Sequence, residues 1–159
     1  MAKLEKMRSD ALLEKNKAAL KAIELGKKSD ELKEKSDNIK EGISRIPKDL
    51  PDDLQQQVDA ACEKVSKDLK AEAKALQKEA DDAQDDADLA LEKMREDGQD
   101  LQKKGERLGN LREIPLLGVF ADKKSTELRN FGDQLFDIAK ETQDYSDKLA
   151  AAQNQLSGI

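Results

Sequence analysis

Apolar residues recur at every seventh position over the first 46 residues of the chain, and this repeat constrains the fold more than any other feature. A spacing of seven places side chains on one stripe of an α-helix, the stripe that faces a partner helix in a coiled coil. The positions four residues further on include Ala22, Ser29 and Ser36, which are small enough to let that partner approach closely. The repeat consists of Leu4, Ala11, Ala18, Leu25, Leu32, Ile39 and Ile46.

The last third of the chain carries a second repeat, in which the spacing alternates between three and four residues. This alternation is the pattern of coiled-coil core positions, and it predicts a third helix. We expect Asp122 or Ser125 to cap its amino terminus, and the polar members Thr142 and Tyr145 to fix its register. The repeat consists of Leu128, Phe131, Leu135, Ile138, Thr142, Tyr145, Leu149, Ala152 and Leu156.

Three prolines divide the sequence and thereby predict the helix boundaries. Pro47, Pro51 and Pro115 are the only prolines, and each is expected to interrupt a helix or to lie in its first turn. Helix-type periodicity fills the segments between them. The expected elements are helices over about 2–46, 51–113 and 122–156, and an apolar junction over 114–120.

The middle helix carries an alanine-rich stripe and three glycines near its carboxyl end. Alanine at core positions implies a thin core and a close approach of the neighbouring helix. Gly98 and Gly105 fall on the stripe, which favours tight packing over a break, although the continuity of the helix through Gly98, Gly105 and Gly109 stays open. We expect Cys62 to be a buried small apolar residue. The stripe consists of Leu54, Val58, Cys62, Val65, Leu69, Ala73, Leu76, Ala80, Ala83, Ala87, Ala90, Met94, Leu101 and Leu108.

Composition excludes the sheet-based alternatives. Aromatic residues make up 3% of the chain and charged residues 40%, so the aromatic side chains that fill a sandwich or barrel core are too few. Short connections make sequential helices antiparallel neighbours. The sequence therefore predicts a single all-α domain over 1–159, an elongated antiparallel helical bundle or coiled coil of three, possibly four, long helices. Ends with only two helices would expose apolar stripe, which predicts a homodimer or a helical partner protein.

The residue types present also limit the chemistry. The chain has no histidine, which removes the most versatile general base and the commonest metal ligand, and its single cysteine cannot form an internal disulfide. We predict no enzyme, no catalytic residue, no metal ligand and no cofactor. The net charge of −6 argues against nucleic acid as the partner. The chain has no apolar run of 18 residues and no apolar signal-peptide core, so we expect a cytoplasmic protein or one exported without a cleaved signal.

Two groups of residues are candidate partner-binding sites. The first lies in the apolar run Ile114–Phe120, which either plugs the end of a bundle, contacts a partner or inserts into a membrane surface. The second is the stripe of the first helix. The acidic run over 79–88 lacks the glycine turn of a calcium loop, so a solvated face or a docking patch for a basic helix is favoured over weak cation binding. The predicted binding residues are Leu116, Leu117, Val119 and Phe120 in the junction, and Leu25, Leu32 and Ile39 in the stripe.

Two resemblances accompany these patterns. The small, acidic helical hairpin with alanine-rich and Gln/Asp/Ser-rich heptads is similar in texture to substrates and partners of bacterial type VII secretion, which pair as helical hairpins before export. The chain has no tryptophan and hence no Trp-x-Gly turn of that family. Residues 21–46 and 92–114 also resemble the heptads of SNARE motifs, without a membrane anchor or a zero-layer residue. Neither resemblance transfers a functional residue.

These observations predict a non-enzymatic protein–protein interaction module that binds through coiled-coil seams, such as an adaptor, a secretion partner or a structural spacer. The partner is expected to be a protein or a second copy of the chain, with neither nucleic acid nor a membrane as the main partner. The alternative is a membrane-active helical protein that uses the apolar junction over 114–120 as its tip.

Overall fold

A computed structural model describes residues 2–159, which form three long α-helices. The helices are α1 (Ala2–Ser44), α2 (Asp52–Gly109) and α3 (Gly118–Ser157). No β-strand occurs among the residues that the structure describes, so the all-α prediction is confirmed. The predicted boundaries agree to within four residues, the largest differences being the earlier end of α2 and the earlier start of α3.

The connection between α1 and α2 follows from its two prolines. Pro47 cannot donate a backbone hydrogen bond, and it disfavours the helical conformation of the residue before it. The last turn of α1 accordingly tightens, and the amide of Ile46 donates to the carbonyl of Ile43 at 3.2 Å. The carbonyl of Pro51 accepts from the amide of Gln55 at 2.8 Å and starts α2. Asp52 and Asp53 occupy the first turn, where the helix dipole favours negative charge.

Helix α3 starts earlier than the sequence predicts because part of the apolar run becomes helical. The amide of Ala121 donates to the carbonyl of Leu117 at 2.8 Å, which places Gly118 at the first helical position. The prediction that Asp122 or Ser125 caps the helix is therefore wrong, since both lie inside it. The Ser125 hydroxyl instead donates to the carbonyl of Gly105 on α2 at 2.6 Å.

The chain folds into two compact units, and segments of all three helices pack together in each. The first unit combines α1 up to Leu20 with Gln84–Asp147. The repeat predicted for the third helix supplies much of its core. The buried core residues are Ala11 from α1, Leu91, Met94 and Leu101 from α2, and Phe131, Leu135, Ile138 and Ala139 from α3.

Glycines on α2 let α3 approach closely in the first unit. A Cβ atom added at Gly98 would lie 3.1 Å from the Phe136 ring, and one added at Gly105 would lie 3.1 Å from the Ser125 carbonyl oxygen. Both glycines are buried, and α2 runs through them without a break as far as Gly109. The prediction of tight packing at these two positions is confirmed.

The second unit combines Lys21–Ala83 with Lys148–Ile159. Leu32 of α1, Leu69 and Ala73 of α2 and Leu156 of α3 form a buried cluster. The small residues predicted beside the α1 repeat are buried as expected. Ser29 is fully buried, and its hydroxyl donates to Oε1 of Gln155 on α3 at 2.5 Å.

The first part of α2 differs from its prediction. Leu54 and Val65 lie on the predicted stripe but are 46% and 39% exposed, and Cys62 is half-buried rather than buried. The first buried residue of α2 is Leu69, which is 6% exposed. Within residues 2–159, α3 ends at Ser157, beside the cluster that contains Leu69, and it does not cover the preceding turns of α2.

Candidate functional site

The turn between α2 and α3 presents an exposed apolar surface. Leu116 is 101% exposed, Val119 88%, Phe120 60% and Leu117 48%, and we call these four residues the turn tip. The interpretation of this segment as a plug for the end of a bundle is wrong, because none of the four is buried. The segment is available as a contact surface, and it belongs entirely to the first unit.

The turn has the features of a type II β-turn with an unusual residue at its third position. Pro115 occupies the second position, and the amide of Leu117 donates to the carbonyl of Ile114 at 3.2 Å. Leu116 has a φ of 72°, the only positive φ of a non-glycine residue among those described. Type II turns favour glycine at this position because a Cβ atom is strained there. The backbone of Leu116 is therefore strained, and its exposed side chain makes no packing contacts within the chain that would offset this strain.

Gly118 closes the turn against the end of α2. A Cβ atom added at Gly118 would collide with the backbone carbonyl of Arg112. The amide of Gly118 also donates to the carbonyl of Ile114 at 2.9 Å. This close backbone packing determines the direction in which the turn tip projects.

Basic residues surround the turn tip. Between positions 103 and 129 the chain has seven Lys and Arg residues against four Asp and Glu residues, whereas the whole chain carries a net charge of −6. Two of the acidic residues are paired, Asp122 with Arg112 at 3.6 Å and Glu127 with Lys124 at 3.2 Å. Each pair also neutralises a basic residue, and Lys104 is paired with Asp100 at 2.9 Å, so the segment keeps only a small excess of positive charge. Its remaining charged residues are Lys103, Arg107, Lys123 and Arg129 against Glu106 and Glu113.

Two arginines meet beside Gly109, the last residue of α2. A Cβ atom added at Gly109 would lie 3.4 Å from Nη2 of Arg112 and 3.4 Å from Nη2 of Arg129, so the two guanidinium groups are neighbours. Nε of Arg112 donates to the Gly109 carbonyl at 3.1 Å. Nε of Arg129 is buried and has no hydrogen-bond partner. Adjacent guanidinium groups are a common arrangement for holding phosphate.

A second apolar surface lies in the second unit, where α1 ends and α2 begins. Ile43 is 40% exposed, in addition to the exposed Leu54 and Val65, and Val58 and Cys62 are half-buried. We call these five residues the open seam. They continue the heptad stripes of α1 and α2 beyond the cluster that Leu156 completes.

The seam residues predicted on α1 have a different environment from the open seam. Leu25 and Leu32 are 1% and 3% exposed, because the chain's own helices cover them. Ile39 is half-buried and packs against the cluster formed by Leu32, Leu69 and Leu156. A partner could reach Leu25 or Leu32 only if the helices of the second unit separated.

The acidic run over 79–88 is mostly solvated. Asp81, Asp82, Asp85 and Asp86 are exposed, and Asp88 accepts a hydrogen bond from the Ser146 hydroxyl at 2.7 Å. Among residues 2–159, no group of three or more His, Cys, Asp or Glu side chains is arranged to hold a metal ion.

Pairs along a helix shift the pKa of three surface groups. The hydrogen bond and charge of Lys28 lower the pKa of Glu24. The same pair raises the pKa of Lys28, with a smaller contribution from Glu79 on α2. A hydrogen bond from Lys104 lowers the pKa of Asp100. All three groups are exposed, so these pairs belong to the solvated surface rather than to a reactive site.

Several exposed apolar residues on the helices lie outside the predicted repeats. Leu13, Leu20, Ile23 and Leu89 are all more than half exposed. Leu13 and Leu20 are seven residues apart, a spacing that indicates a second, shorter apolar stripe on α1. The longer repeat that begins at Leu4 is the more regular pattern in the same helix.

Comparisons with known proteins do not extend this description. The chain matches no protein-family model, no curated protein and no solved structure. Within residues 2–159, none of the helices combines the length and the apolar character needed to cross a bilayer.

Proposed function

We propose that the chain is a non-enzymatic helical module that binds another protein through a helix seam, and that the open seam is the binding surface. The observation that carries the proposal is the exposure of Ile43, Leu54 and Val65, between 39% and 46%, at positions where the heptad pattern calls for burial. Apolar residues at regular helical spacing that the chain does not cover are typical of a surface that binds a further helix.

The module is proposed to use an antiparallel, coiled-coil type of packing. In the second unit, Lys35 forms an ion pair with Glu72 at 3.9 Å, and the charge of Glu79 contributes to the raised pKa of Lys28. A step of seven residues back along α1 therefore corresponds to a step of seven forward along α2. This register supports antiparallel pairing of α1 and α2. Extending it places Ile43 level with Lys64, within one residue of Val65, and both Ile43 and Val65 are exposed members of the open seam.

In the first unit the order of the contacts supports the same packing. Gln102 donates to Asp133 at 2.7 Å, and Asp88 accepts from Ser146 at 2.7 Å, so positions on α2 fall as those on α3 rise. Lys15 of α1 contacts Glu141 of α3 at 2.9 Å. Arg8 donates to Gln134 at 2.9 Å, a step of seven back on both helices, so positions on α1 and α3 fall together. These contacts support a parallel α1–α3 pair, as expected for two helices that are both antiparallel to α2.

The occupant that fits the open seam best is a second copy of the chain. Two α-helices contribute to the seam, and a two-fold axis would bring two more, which completes a four-helix core of common type. A two-fold interface uses the same surface on both copies, so Leu54 and Val65 of each protomer would be buried in it.

The test is size-exclusion chromatography with light scattering over a hundred-fold dilution. We expect a dimer at high concentration, and dissociation when Leu54 and Val65 are both replaced by lysine, because a buried interface then carries unpaired charges. The matched control is Leu20→Lys, which changes an exposed leucine in the first unit and should leave the mass unchanged.

Two results would contradict the proposal in different ways. A mass of 17.7 kDa at every concentration would exclude the second copy and leave the seam to a helix of a different protein. Severe unfolding of the Leu54→Lys, Val65→Lys variant would show that the chain itself needs these side chains, and that the open seam is not a binding surface.

The absence of histidine from the sequence supports a binding role rather than a catalytic one. An adaptor, a secretion partner and a structural spacer would all use a surface of this kind.

A further inference from the structure

We propose that the turn tip inserts into the interfacial region of a bilayer that contains anionic phospholipids, with the basic base of the turn contacting their headgroups. This site is separate from the open seam, because all of its residues belong to the first unit. The proposal therefore does not depend on the proposed protein-binding function.

The first support is the strain at Leu116. Glycine would relieve the strain of a φ of 72°, and a polar side chain would avoid exposing apolar surface to water. The chain instead has a leucine whose side chain is fully exposed. Two features that both lower the stability of the isolated chain occur in one residue, which indicates that the Leu116 side chain contacts something outside the chain.

The second support is the shape of the surface. Leu116, Val119 and Phe120 project from a turn whose backbone Gly118 holds against Arg112. Projecting apolar side chains enter the boundary between headgroups and acyl chains without any matching cavity. A protein groove would need to be complementary to this surface, whereas a bilayer adapts to it.

The third support is the charge around the turn. Anionic membranes attract clusters of Lys and Arg. Electrostatic attraction from such a cluster can make membrane binding stable where a small apolar insertion alone would be weak. The excess of basic residues between positions 103 and 129 lies in a chain whose remaining residues are strongly acidic. Arg107 and Lys123 are exposed on either side of the turn, where headgroup phosphates could reach them.

The first experiment measures co-sedimentation of the full chain with two kinds of vesicle, phosphatidylcholine alone and phosphatidylcholine mixed with phosphatidylserine. We expect the chain to bind the mixed vesicles, and this binding to weaken as salt is added, because salt screens the attraction between basic residues and anionic headgroups. The variant Leu116→Gly should bind about tenfold more weakly, since a leucine side chain no longer enters the apolar phase. Its fold should be retained, because glycine suits the turn.

Charge is tested separately at two exposed basic residues that flank the turn, Arg107 and Lys123. Replacing Arg107 and Lys123 with glutamine should reduce the preference for mixed vesicles and flatten the salt dependence. The Leu89→Gln variant, which changes an exposed leucine about 30 Å along α2 from Gly109, should bind as the unmodified chain does.

Insertion is distinguished from surface adsorption by fluorescence. The chain has no tryptophan, so Val119→Trp introduces a single reporter at the turn tip, and Leu89→Trp provides the matched control. We expect a blue shift of emission on adding mixed vesicles for Val119→Trp and none for Leu89→Trp.

Four outcomes would overturn the proposal: no binding to mixed vesicles at low salt, equal binding by Leu116→Gly, equal binding to both kinds of vesicle, or binding without a blue shift at Val119→Trp. The first of these, together with an intact fold, would show that the turn tip does not bind a bilayer.

Discussion

Ser125 of α3 donates its hydroxyl hydrogen to the backbone carbonyl of Gly105 on α2 across 2.6 Å, and both residues are buried. The contact is short because Gly105 has no side chain. A Cβ atom there would lie 2.8 Å from Cγ of Arg129 and 3.1 Å from the carbonyl oxygen of Ser125. A backbone atom and a carbon near the start of a side chain cannot easily move away.

The variant Gly105→Ala should therefore destabilise the fold, although alanine is the better helix former. Forced overpacking costs about 1–3 kcal/mol, which exceeds the gain of about 1 kcal/mol in helix propensity. The control is Gly26→Ala in α1, where an added Cβ atom meets nothing within 4 Å. That variant should be stabilised by about 0.5–1 kcal/mol. Urea unfolding measures both, and stabilisation by both would show that α2 and α3 are less closely packed at Gly105.

The variant Leu135→Asp should disrupt the core of the first unit. Leu135 is 1% exposed and packs among residues of all three helices, so aspartate would bury an unpaired charge in an apolar cluster. We expect a loss of about 4 kcal/mol or more in the free energy of unfolding. Leu20→Asp, at a position that is 69% exposed, should change it by about 0.5 kcal/mol or less. An unchanged melting temperature for Leu135→Asp would contradict the assignment of this residue to the core.

Ser29 tests the importance of a small residue where α1 meets α3 in the second unit. The variant Ser29→Ala removes the hydrogen bond to Gln155 and should cost about 1 kcal/mol. Ser29→Leu adds volume at a fully buried position, so it should cost more, about 2–3 kcal/mol. Thermal unfolding of the two variants gives the order, and greater stability of Ser29→Leu would mean that the helices are not closely packed at Ser29.

The Glu24–Lys28 pair predicts a pH dependence of known sign. Lys28 lowers the pKa of Glu24 below the usual value of 4.5, so the folded state holds this proton less tightly than the unfolded state does. The pair therefore stabilises the fold above about pH 4.5, and this contribution is lost as the pH falls through the lowered pKa. Carboxyl NMR titration should show that Lys28→Gln returns the pKa of Glu24 towards its usual value. A midpoint that does not move would show that the pair does not form in solution.

Periodicity predicted burial well wherever a second helix is present to cover the stripe. Leu25, Leu135 and Leu149 lie on predicted repeats and are almost completely buried. Leu54 and Val65 lie on an equally regular repeat and are exposed. A heptad pattern identifies the apolar face of a helix, but whether that face is covered depends on where the neighbouring helix ends, which here is Ser157 of α3.

The turn tip shows a different limit of sequence reasoning. The apolar run over 114–120 left burial as a plug, a partner contact and membrane-surface insertion open, because hydropathy alone does not distinguish them. Pro115 at the second turn position, the positive φ of Leu116 and the close packing of Gly118 turn the side chains outward. Backbone geometry at three residues thus decides the exposure of the segment, and hydropathy does not record it.

The buried positions contributed by small side chains also affect the thermodynamics of unfolding. They include Ala18, Ala22, Ser29, Ser36, Ala73, Ala80 and Ala87. Each exposes little apolar surface when the helices separate, and the heat capacity increment of unfolding scales with that surface. The increment per residue should fall below the range of about 12–15 cal/mol/K found for ordinary domains. The stability curve of this protein is then unusually flat, and its melting temperature responds sharply to small changes in free energy.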